Sequence, residues 1–475
     1  MNLFTHGCAC AFASRLTRSG LLRAAAILAS LVGLAGPIEA SSQSLRSGQS
    51  NLDSLIARAL AFNPELAAAR SRTEAARLRI APAGSRPDPM LMAGLINVPV
   101  NNFSLTDDEM TMKMIGIRQT VPYPGKLRLA RTIAELASNE QSIVADSLRL
   151  AVVRDVKVAY YEVTYIDAAL EATRAIDRLS ADVIKVADVR YASGRGGQQD
   201  VLRATLEATR LNETASDLRE RRRTTIETLR ALVADAALSL KEAGIPGQVA
   251  SAAVADDPSS IRFVSKDLGA AVADGPLPPL AELQNRAVEA SPAVKRRFAI
   301  AATASAEVEL ARRQHLPDFE LSIEYGQRSG ASPTSRGGTA GRPDMISLSV
   351  SIPIAIQRRN KQGALVSAAR ADLATTSHER RANEALVRSE VARLYSEASR
   401  SRTQLALYVK ALVPQARASL SSSLATYQSG TGDLTSVLDS RRTLLELEQG
   451  YHRSVADFAQ RIAELESIVG AGILR

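Results

Sequence analysis

A short segment near the C-terminal end, Tyr427-Gln428-Ser429-Gly430-Thr431-Gly432-Asp433-Leu434-Thr435-Ser436-Val437-Leu438, is the most informative part of the sequence. The same pattern begins at Tyr191-Ala192-Ser193-Gly194 and ends at Val201-Leu202, with the tyrosine, the glycine and the valine–leucine pair at equal offsets. In both places a glycine separates two long runs whose apolar residues have helical spacing, which predicts two helices joined by a tight turn. The fold is therefore expected to contain this helix–turn–helix unit twice.

Two further pairs of segments repeat in the same order. Leu52-Asp53-Ser54-Leu55, followed by Pro64, reappears as Leu280-Ala281-Glu282-Leu283, followed by Pro292. A second match lies further on in each half: Met114-Ile115 and Val121-Pro122 in the first, Met345-Ile346 and Ile352-Pro353 in the second. Self-similarity in a constant order indicates a duplicated unit. The chain divides into three parts after an N-terminal leader: a first repeat (41–242), a Gly-, Pro-, Ala- and Asp-rich linker (243–279) and a second repeat (280–475).

Each repeat has the same predicted order of elements. A helix over about 51–81 or 280–315 precedes a β-hairpin at about 88–122 or 317–353, and a very long helix then leads to the turn near 191–200 or 427–434. No Pro or Gly interrupts the chain between Gly125 and Arg190, which allows on the order of 100 Å of helix. Apolar residues at mixed three- and four-residue steps favour coiled-coil packing, and Pro414 predicts a kink or a local unwinding of the second long helix.

The strand patterns bear on whether the protein crosses a membrane. Phe319 to Tyr325 and Ile346 to Ile352 alternate apolar residues with small or charged ones, between Pro317 and Pro353. A soluble hairpin with one wet face has this pattern, and so does an outer-membrane strand with one lipid-facing side. Four strands cannot close a barrel with a lumen, and strand edges are not tolerated in lipid. If these strands span a membrane, several chains must contribute to one barrel.

The N-terminal segment has the features of an export signal. Basic residues precede the apolar stretch 21–36, and small residues end at Ala40, so residues 1–40 are predicted to be a cleaved signal peptide. Cys8 and Cys10 lie inside it, and only 4 His occur in the chain, which disfavours zinc, iron–sulfur and disulfide frameworks. No later apolar run is long enough for a transmembrane helix. The protein is therefore expected to be exported and to cross a membrane, if at all, with strands.

Composition and motifs argue against catalysis and nucleic-acid binding. The formal charge of +9 on 475 residues is too small for a dedicated nucleic-acid binder. No zincin, nucleophile-elbow, P-loop or C-x-x-C pattern is present, so no enzyme activity and no cofactor are expected. The histidines are scattered, and no metal site is assigned. The basic run at 219–223 is interpreted as a solvated helix face.

The first hairpin is rich in methionine. Five of these residues lie close together in the sequence: Met90, Met92, Met110, Met112 and Met114. A thioether cluster suits Cu(I). The favoured interpretation is nevertheless that they are flexible apolar residues on a strand face.

With these features, the chain resembles the TolC-like outer-membrane efflux proteins. The segment from Tyr427 to Asp439 and its counterpart at Tyr191 are similar to the helix–turn–helix tips of that family. The stretch from Asp88 to Leu127 is most similar to the heavy-metal branch, the outer-membrane partners of cobalt–zinc–cadmium or copper exporters. The resemblance covers nearly the whole chain after the signal peptide.

The resemblance implies a mainly α-helical fold with β-strands that works as a homotrimer. Three chains would form a twelve-stranded barrel in the outer membrane of a Gram-negative bacterium and a helical barrel in the periplasm. The implied function is a passive exit duct, for heavy-metal cations, driven by an inner-membrane pump of the RND type through a periplasmic adaptor protein. Two alternative functions are also forms of transport, namely multidrug efflux and type I protein secretion. A third, a secreted coiled-coil structural protein, belongs to a different class.

The resemblance also implies roles for residues at the two turns. Adaptor contacts are expected at seven positions: Tyr191, Gly194, Val201, Leu202, Gly430, Val437 and Leu438. The alternative for the glycines is a plain helix turn. Periplasmic gate or constriction residues are expected at four positions: Asp200, Ser436, Asp439 and Tyr427. Family members often carry an acid where this chain has Ser436, and some carry an arginine where it has Gly432. For Asp200 the alternative is a helix-dipole interaction.

Overall fold

The computed structural model describes residues 52–234, 277–333, 337–470 and 472. The predicted signal peptide, Cys8 and Cys10 lie outside the described residues, as does the predicted linker up to residue 276. Within the described ranges, none of the helices carries an apolar stretch long enough to cross a bilayer.

The first half contains a broken N-terminal helix, a hairpin and two long helices. Their bounds are α1 (residues 52–62), α2 (Pro64–Leu78), α3 (Ile80–Ala83), β1 (Met90–Ile96), β2 (Met112–Val121), α4 (Lys126–Ala192) and α5 (Gln198–Val233). The single helix predicted over 51–81 is wrong, because the chain breaks at Asn63. Its side-chain Oδ1 accepts hydrogen bonds from the backbone N–H groups of Glu65 (2.9 Å) and Leu66 (3.1 Å), and Pro64 starts the new helix.

The second half repeats this order with two additions. Its elements are α6 (Leu280–Ala290), α7 (Pro292–Arg313), β3 (Phe319–Arg328), β4 (Ala331–Pro333), β5 (Thr339–Gly341), β6 (Met345–Ser351), α8 (Ala364–Leu407), α9 (Val413–Ser429) and α10 (Leu434–Val469). The helix predicted over 280–315 is also broken, at Ser291 before Pro292. The hairpin β4–β5 was not predicted. A π-helical segment, Tyr408–Leu412, separates α8 from α9 just before Pro414, which confirms the predicted irregularity there.

One four-stranded antiparallel sheet joins the two halves. Its order is β1-β2-β3-β6, so the central pair, β2 and β3, comes from different repeats. The chain leaves β2 and enters β3 at the same end of this pair. There Asp318 accepts hydrogen bonds from the backbone N–H of Tyr123 and from Nζ of Lys126, both at 2.8 Å. The aromatic rings of Tyr123 and Phe319 stack with centroids 6.5 Å apart. The long helices are thereby fixed to the strands of both repeats.

The two faces of this sheet differ in chemistry. Register places one apolar set side by side on all four strands: Leu91, Leu95, Ile115, Ile117, Leu321, Ile323, Tyr325, Ile346, Leu348 and Val350. These side chains are exposed in the single chain, up to 78% for Leu348. We call this surface the apolar face. The opposite surface, the polar face, carries an ion pair between Arg118 and Glu320 (2.7 Å) and a hydrogen bond between Ser322 and Ser349 (2.7 Å).

The helices bury small and branched apolar side chains in clusters that lie between them. One cluster joins α1, α4 and α5 around Leu55, Val156 and Leu229, and another joins α6, α8 and α10 around Leu283 and Leu394. Between α4 and α5 lies an ion pair, in which Nε of Arg222 is 2.6 Å from Oδ1 of Asp167. Both side chains are largely buried, so the interpretation of residues 219–223 as a solvated face is wrong for Arg222.

Candidate functional site at the helix tips

Two turns lie at the ends of the long helices, which we call the first tip (Tyr191 to Leu202) and the second tip (Tyr427 to Leu438). Both reverse the chain through a glycine with left-handed backbone geometry, Gly194 at φ +70° and Gly430 at φ +88°. The carbonyl of Arg190 accepts a hydrogen bond from the N–H of Arg195 (2.8 Å), and that of Thr426 accepts one from Gly432 (2.9 Å). These bonds close the last helical turn in each case.

The helices that follow the turns begin differently. Asp433 caps α10, because its side chain accepts a hydrogen bond from the N–H of Thr435 (3.1 Å). Helix α5 begins after Gly197 without a side-chain cap and carries Asp200 in its first turn. A carboxylate at that position interacts favourably with the helix dipole. The position of Asp200 is therefore consistent with the alternative interpretation, an interaction with the dipole of α5.

Tyr427 has the largest fully buried side chain of the two tips. Its side chain is 1% exposed, and Nη1 of Arg190 donates to its carbonyl oxygen (2.9 Å). The guanidinium carbon of Arg190 also lies 4.6 Å from the centre of its ring, a cation–π contact. Its hydroxyl makes no hydrogen bond within the described residues. Burial raises the pKa of Tyr427, and the charges of Asp200 and Asp433 act in the same direction, while Arg190 opposes them. The first tip thus contributes to the environment of the second.

The expected adaptor-contact residues divide into an exposed and a buried group. Tyr191 is 50% exposed and Leu202 is 63% exposed, and Val201 is half-buried. Their counterparts are packed: Val437 is fully buried and Leu438 is half-buried against the cluster shared by α4, α5, α9 and α10. The structure therefore does not bring the seven positions together as one surface. Of the two tips, only the first has apolar side chains that are at least half exposed.

The expected gate residues are partly solvent-accessible. Ser436 and Asp439 are exposed one turn apart on α10, and Asp200 is half-buried on α5. Within the described residues, neither aspartate forms an ion pair. Gly432 has a steric reason to be glycine, because a Cβ there would lie 2.9 Å from the backbone N of Tyr427. The arginine that some relatives carry at this position would require a different turn.

Three arginines near the tips were not predicted. Arg190 contacts Tyr427 as described above. Arg441 is 3% exposed and donates from Nη1 to Oγ of Ser180 on α4, and burial lowers its pKa. Arg442 forms an ion pair with Glu207 on α5 (2.9 Å). They bind the second tip to helices α4 and α5, and no local sequence signal distinguishes them from arginines on a solvated helix face.

The described residues contain no group of three or more His, Cys, Asp or Glu side chains arranged to hold a metal ion. His452 lies in the middle of α10, against the side of α4. Burial, assisted by the charge of Arg417, lowers its pKa to about 4. The imidazole is therefore neutral at pH 7, and its Nδ1 makes no hydrogen bond within the described residues.

Both halves match one protein-family model, which is described as Outer membrane efflux protein. The matched residues are 55–235 and 283–471, most of the chain. The chain belongs to the outer membrane efflux protein family. The predicted family is thereby confirmed, and members of the outer membrane efflux family act as transport ducts rather than as enzymes. No curated protein matches the sequence.

Solved outer-membrane channels share the fold of this efflux protein. The outer-membrane channel OprN is 16% identical, with 90% of this chain and 92% of that chain covered and a TM-score of 0.70. VceC from Vibrio cholerae is 18% identical, with coverage of 90% and 97% and a TM-score of 0.67. CusC is 15% identical, with coverage of 89% and 92% and a TM-score of 0.68. The TolC-like fold is confirmed, and these similar scores do not single out one branch of the family.

Proposed function

We propose that this efflux protein is the exit duct of a tripartite efflux system and that three copies form it. The observation that carries the proposal is the continuous apolar face of the four-stranded sheet. It is exposed in the single chain, and β1 and β6 leave two sheet edges unpaired within the described residues. Strand edges in lipid must be paired, so three such sheets would close into a twelve-stranded barrel with the apolar face toward lipid.

The long helices then extend from the barrel into the periplasm. Helix α4 has 67 residues, which corresponds to about 100 Å. The exposed side chains of the first tip, Tyr191 and Leu202, are the proposed contacts for a periplasmic adaptor protein. The buried residues Val437 and Leu438 would hold the turn in shape. The inner-membrane pump, of the RND type, would supply the energy.

The gate is proposed at the same end. Three copies each of Asp200 and Asp439 around one axis would concentrate negative potential and attract cations. Ser436 would line the constriction, and Tyr427 would hold the turn beneath it. We expect Asp439→Ala to lower cation selectivity, measured as the reversal potential in a salt gradient across a planar bilayer. Asp217→Ala, which removes an exposed charge from α5 further from the tip, is the matched control. Equal reversal potentials for all three proteins would refute the role of Asp439.

Heavy-metal cations are the proposed cargo. The support is the resemblance of the stretch from Asp88 to Leu127 to the heavy-metal branch. Multidrug efflux and type I protein secretion use the same fold, and they are the competing cargo assignments. Metal and drug susceptibility of a strain that lacks the protein separates them. Sensitivity to metals alone supports the proposal, and sensitivity to drugs alone refutes it.

The duct itself is tested with purified protein. We expect the mature chain to be extracted from outer membranes as a trimer and to conduct ions in planar bilayers. A soluble dimer without conductance would contradict the duct and would favour the secreted coiled-coil alternative.

A further inference from the structure

The polar face of the sheet carries most of the methionines of this protein. The chain has 7 methionines, and register places five of them on this one surface: Met90, Met92, Met112, Met114 and Met345. They come from β1, β2 and β6, so strands of both repeats contribute. Met110, in the loop before β2, is the sixth described methionine and is outside the sheet. Neither the proposed gate nor the proposed adaptor contacts use this cluster.

Glycines separate these methionines across the sheet. Met114 pairs with Gly94 on one side and with Gly326 on the other, and Met345 pairs with Gly326 from β6. Met92 pairs with Gly116. Glycine inside a strand weakens the strand and often marks a place where a ligand or another group approaches closely. All three glycines of the four paired strands have a methionine as a cross-strand partner.

The space above Gly326 is occupied by a thioether. A Cβ built on Gly326 would lie 2.6 Å from Sδ of Met112. Met114 and Met345 are its direct partners on the two neighbouring strands. Neighbouring strands lie about 5 Å apart, which is within reach of long side chains. Three thioethers are therefore placed around one position that has no side chain of its own.

Burial of apolar surface does not explain this placement. Apart from Ile96, the isoleucines, leucines and valines of these strands lie on the apolar face, where lipid would cover them. The methionines share the other face with Glu324 and with the ion pair of Arg118 and Glu320. The interpretation of the methionines as flexible apolar residues on a strand face does not explain why they lie on the polar face rather than on the apolar face. Thioether sulfur, unlike a hydrocarbon, also has the chemistry of a soft metal ligand.

We propose that Met112, Met114 and Met345 form a binding site for a soft monovalent cation, Cu(I) or Ag(I), around Gly326. The inference rests on the proposed function, because the polar face faces a solvated lumen only if the sheets close into a barrel. Thioether ligands select Cu(I) over hard divalent cations, which take oxygen ligands. The site lies next to the loops between the strands, at the opposite end of the molecule from the tips. A cation that passes the acidic gate would meet it last.

Silver binding by the purified trimer tests the site. Ag(I), added as nitrate in a chloride-free buffer, serves as a redox-stable probe, and bound metal is measured after equilibrium dialysis. We expect the wild type to bind silver, the triple variant Met112→Leu/Met114→Leu/Met345→Leu to lose binding, and Met110→Leu to retain it. Leucine preserves side-chain volume and removes only the sulfur. Silver binding by the triple variant at the wild-type level, or none by the wild type, would overturn the proposal.

A measurement on the unmodified protein covers the case in which the triple variant does not assemble. Peroxide oxidises exposed methionines, and mass spectrometry reports each position separately. We expect silver to protect Met112, Met114 and Met345 from oxidation and to leave Met110 unprotected. Equal oxidation with and without silver would refute the site. Bilayer conductance of the same samples separates the two proposals. Conductance without silver binding rejects the site alone, and silver binding without conductance rejects the duct.

Discussion

The first and second tips have the same sequence pattern and the same left-handed glycine, yet they bury different side chains. In the second tip, Tyr427 and Val437 are at most 1% exposed, because α4 and α5 pack over them. In the first tip, Tyr191 and Leu202 are at least half exposed. Duplication therefore reproduces the backbone of the turn, while neighbouring helices decide which copy has a free apolar surface. We expect the exposed copy to be the one that binds a partner.

The largest effect should come from a charge placed in the buried tip. Val437→Lys would bury an ammonium group one helical turn from the buried cation Arg441, at a cost of about 3–5 kcal/mol. Val201→Lys, at the matching position of the first tip, should cost below about 1 kcal/mol because the side chain can reach water. Thermal unfolding of the detergent-solubilised protein, followed by circular dichroism, measures both. Equal losses of stability would show that the two tips are packed alike.

Acid should affect helix α10 of the second repeat through His452. Its folded-state pKa of about 4 lies below the ordinary value of about 6.5, so the unfolded chain binds a proton at higher pH than the folded chain. Stability is therefore fully present above pH 6.5 and is lost as the pH falls toward 4, by up to about 3 kcal/mol. His452→Gln should remove this loss. The test is the difference in melting temperature between pH 7 and pH 5, and an unchanged difference would contradict the assignment.

Helices α4 and α5 of the first repeat should respond to acid in the opposite direction. Burial raises the pKa of Asp167 to about 6, although its hydrogen bond and ion pair with Arg222 act against this. The folded chain then binds this proton at higher pH than the unfolded chain, so the contribution of Asp167 to stability grows as the pH falls from 6 toward 4. Asp167→Asn should remove that gain. The same pair of melting temperatures measures it, and a change of the same sign as for His452→Gln would break the contrast between the two repeats.

Partner binding should depend on the exposed tip. Leu202→Ala should weaken adaptor binding by about 1–2 kcal/mol without lowering the amount of protein in the outer membrane. Leu438→Ala, its counterpart, should lower stability first, since that side chain packs inside the chain. Resistance of a deletion strain that carries each variant, compared with outer-membrane protein levels, separates the two effects. Full resistance with Leu202→Ala would remove the first tip as the docking surface.

The smallest difference is expected between the two turn glycines. Gly194→Ala and Gly430→Ala each force an alanine into left-handed geometry, at a cost of about 1 kcal/mol. A Cβ at either position would meet open space, so no further penalty separates them. Melting temperatures of the two variants should agree. A clear difference between the two melting temperatures would show that the neighbouring helices affect the backbone of the turns and not only the burial of their side chains.

Local signals were sufficient where the physical cause is local. Glycine in left-handed geometry ends a helix, and proline bounds a strand, so both tips and all four long strands could be predicted. The breaks at Asn63 and Ser291 had the same kind of signal, since Pro64 and Pro292 disfavour helical geometry in the preceding residue. The apolar spacing continues across each break, however, and this periodicity on its own predicts one uninterrupted helix.

The rest depends on which elements meet. Tyr427 is buried because helices of the other repeat pack against it, whereas Tyr191 is left exposed. The two matching segments of sequence do not show this difference. Arg441 on α10 is buried for the same reason, against α4, whereas Arg222 on α5 is buried by packing against α4 of its own repeat. The methionines could be grouped by sequence as far as the first hairpin. Met345 joins them only through the register of β3 and β6, which sequence spacing does not determine.

The joining of β2 to β3 has a consequence for the order of events during biogenesis. The contact that anchors this pair, from Tyr123 to Asp318, links residues 195 positions apart. Contacts of such sequence separation form late. An exported chain emerges N-terminus first, so the β1–β2 hairpin must wait with one edge open while the longest helices of the first repeat are still arriving. Open strand edges invite pairing with the wrong chain. The protein is therefore most vulnerable to aggregation after its first repeat has crossed the inner membrane and before its second has followed.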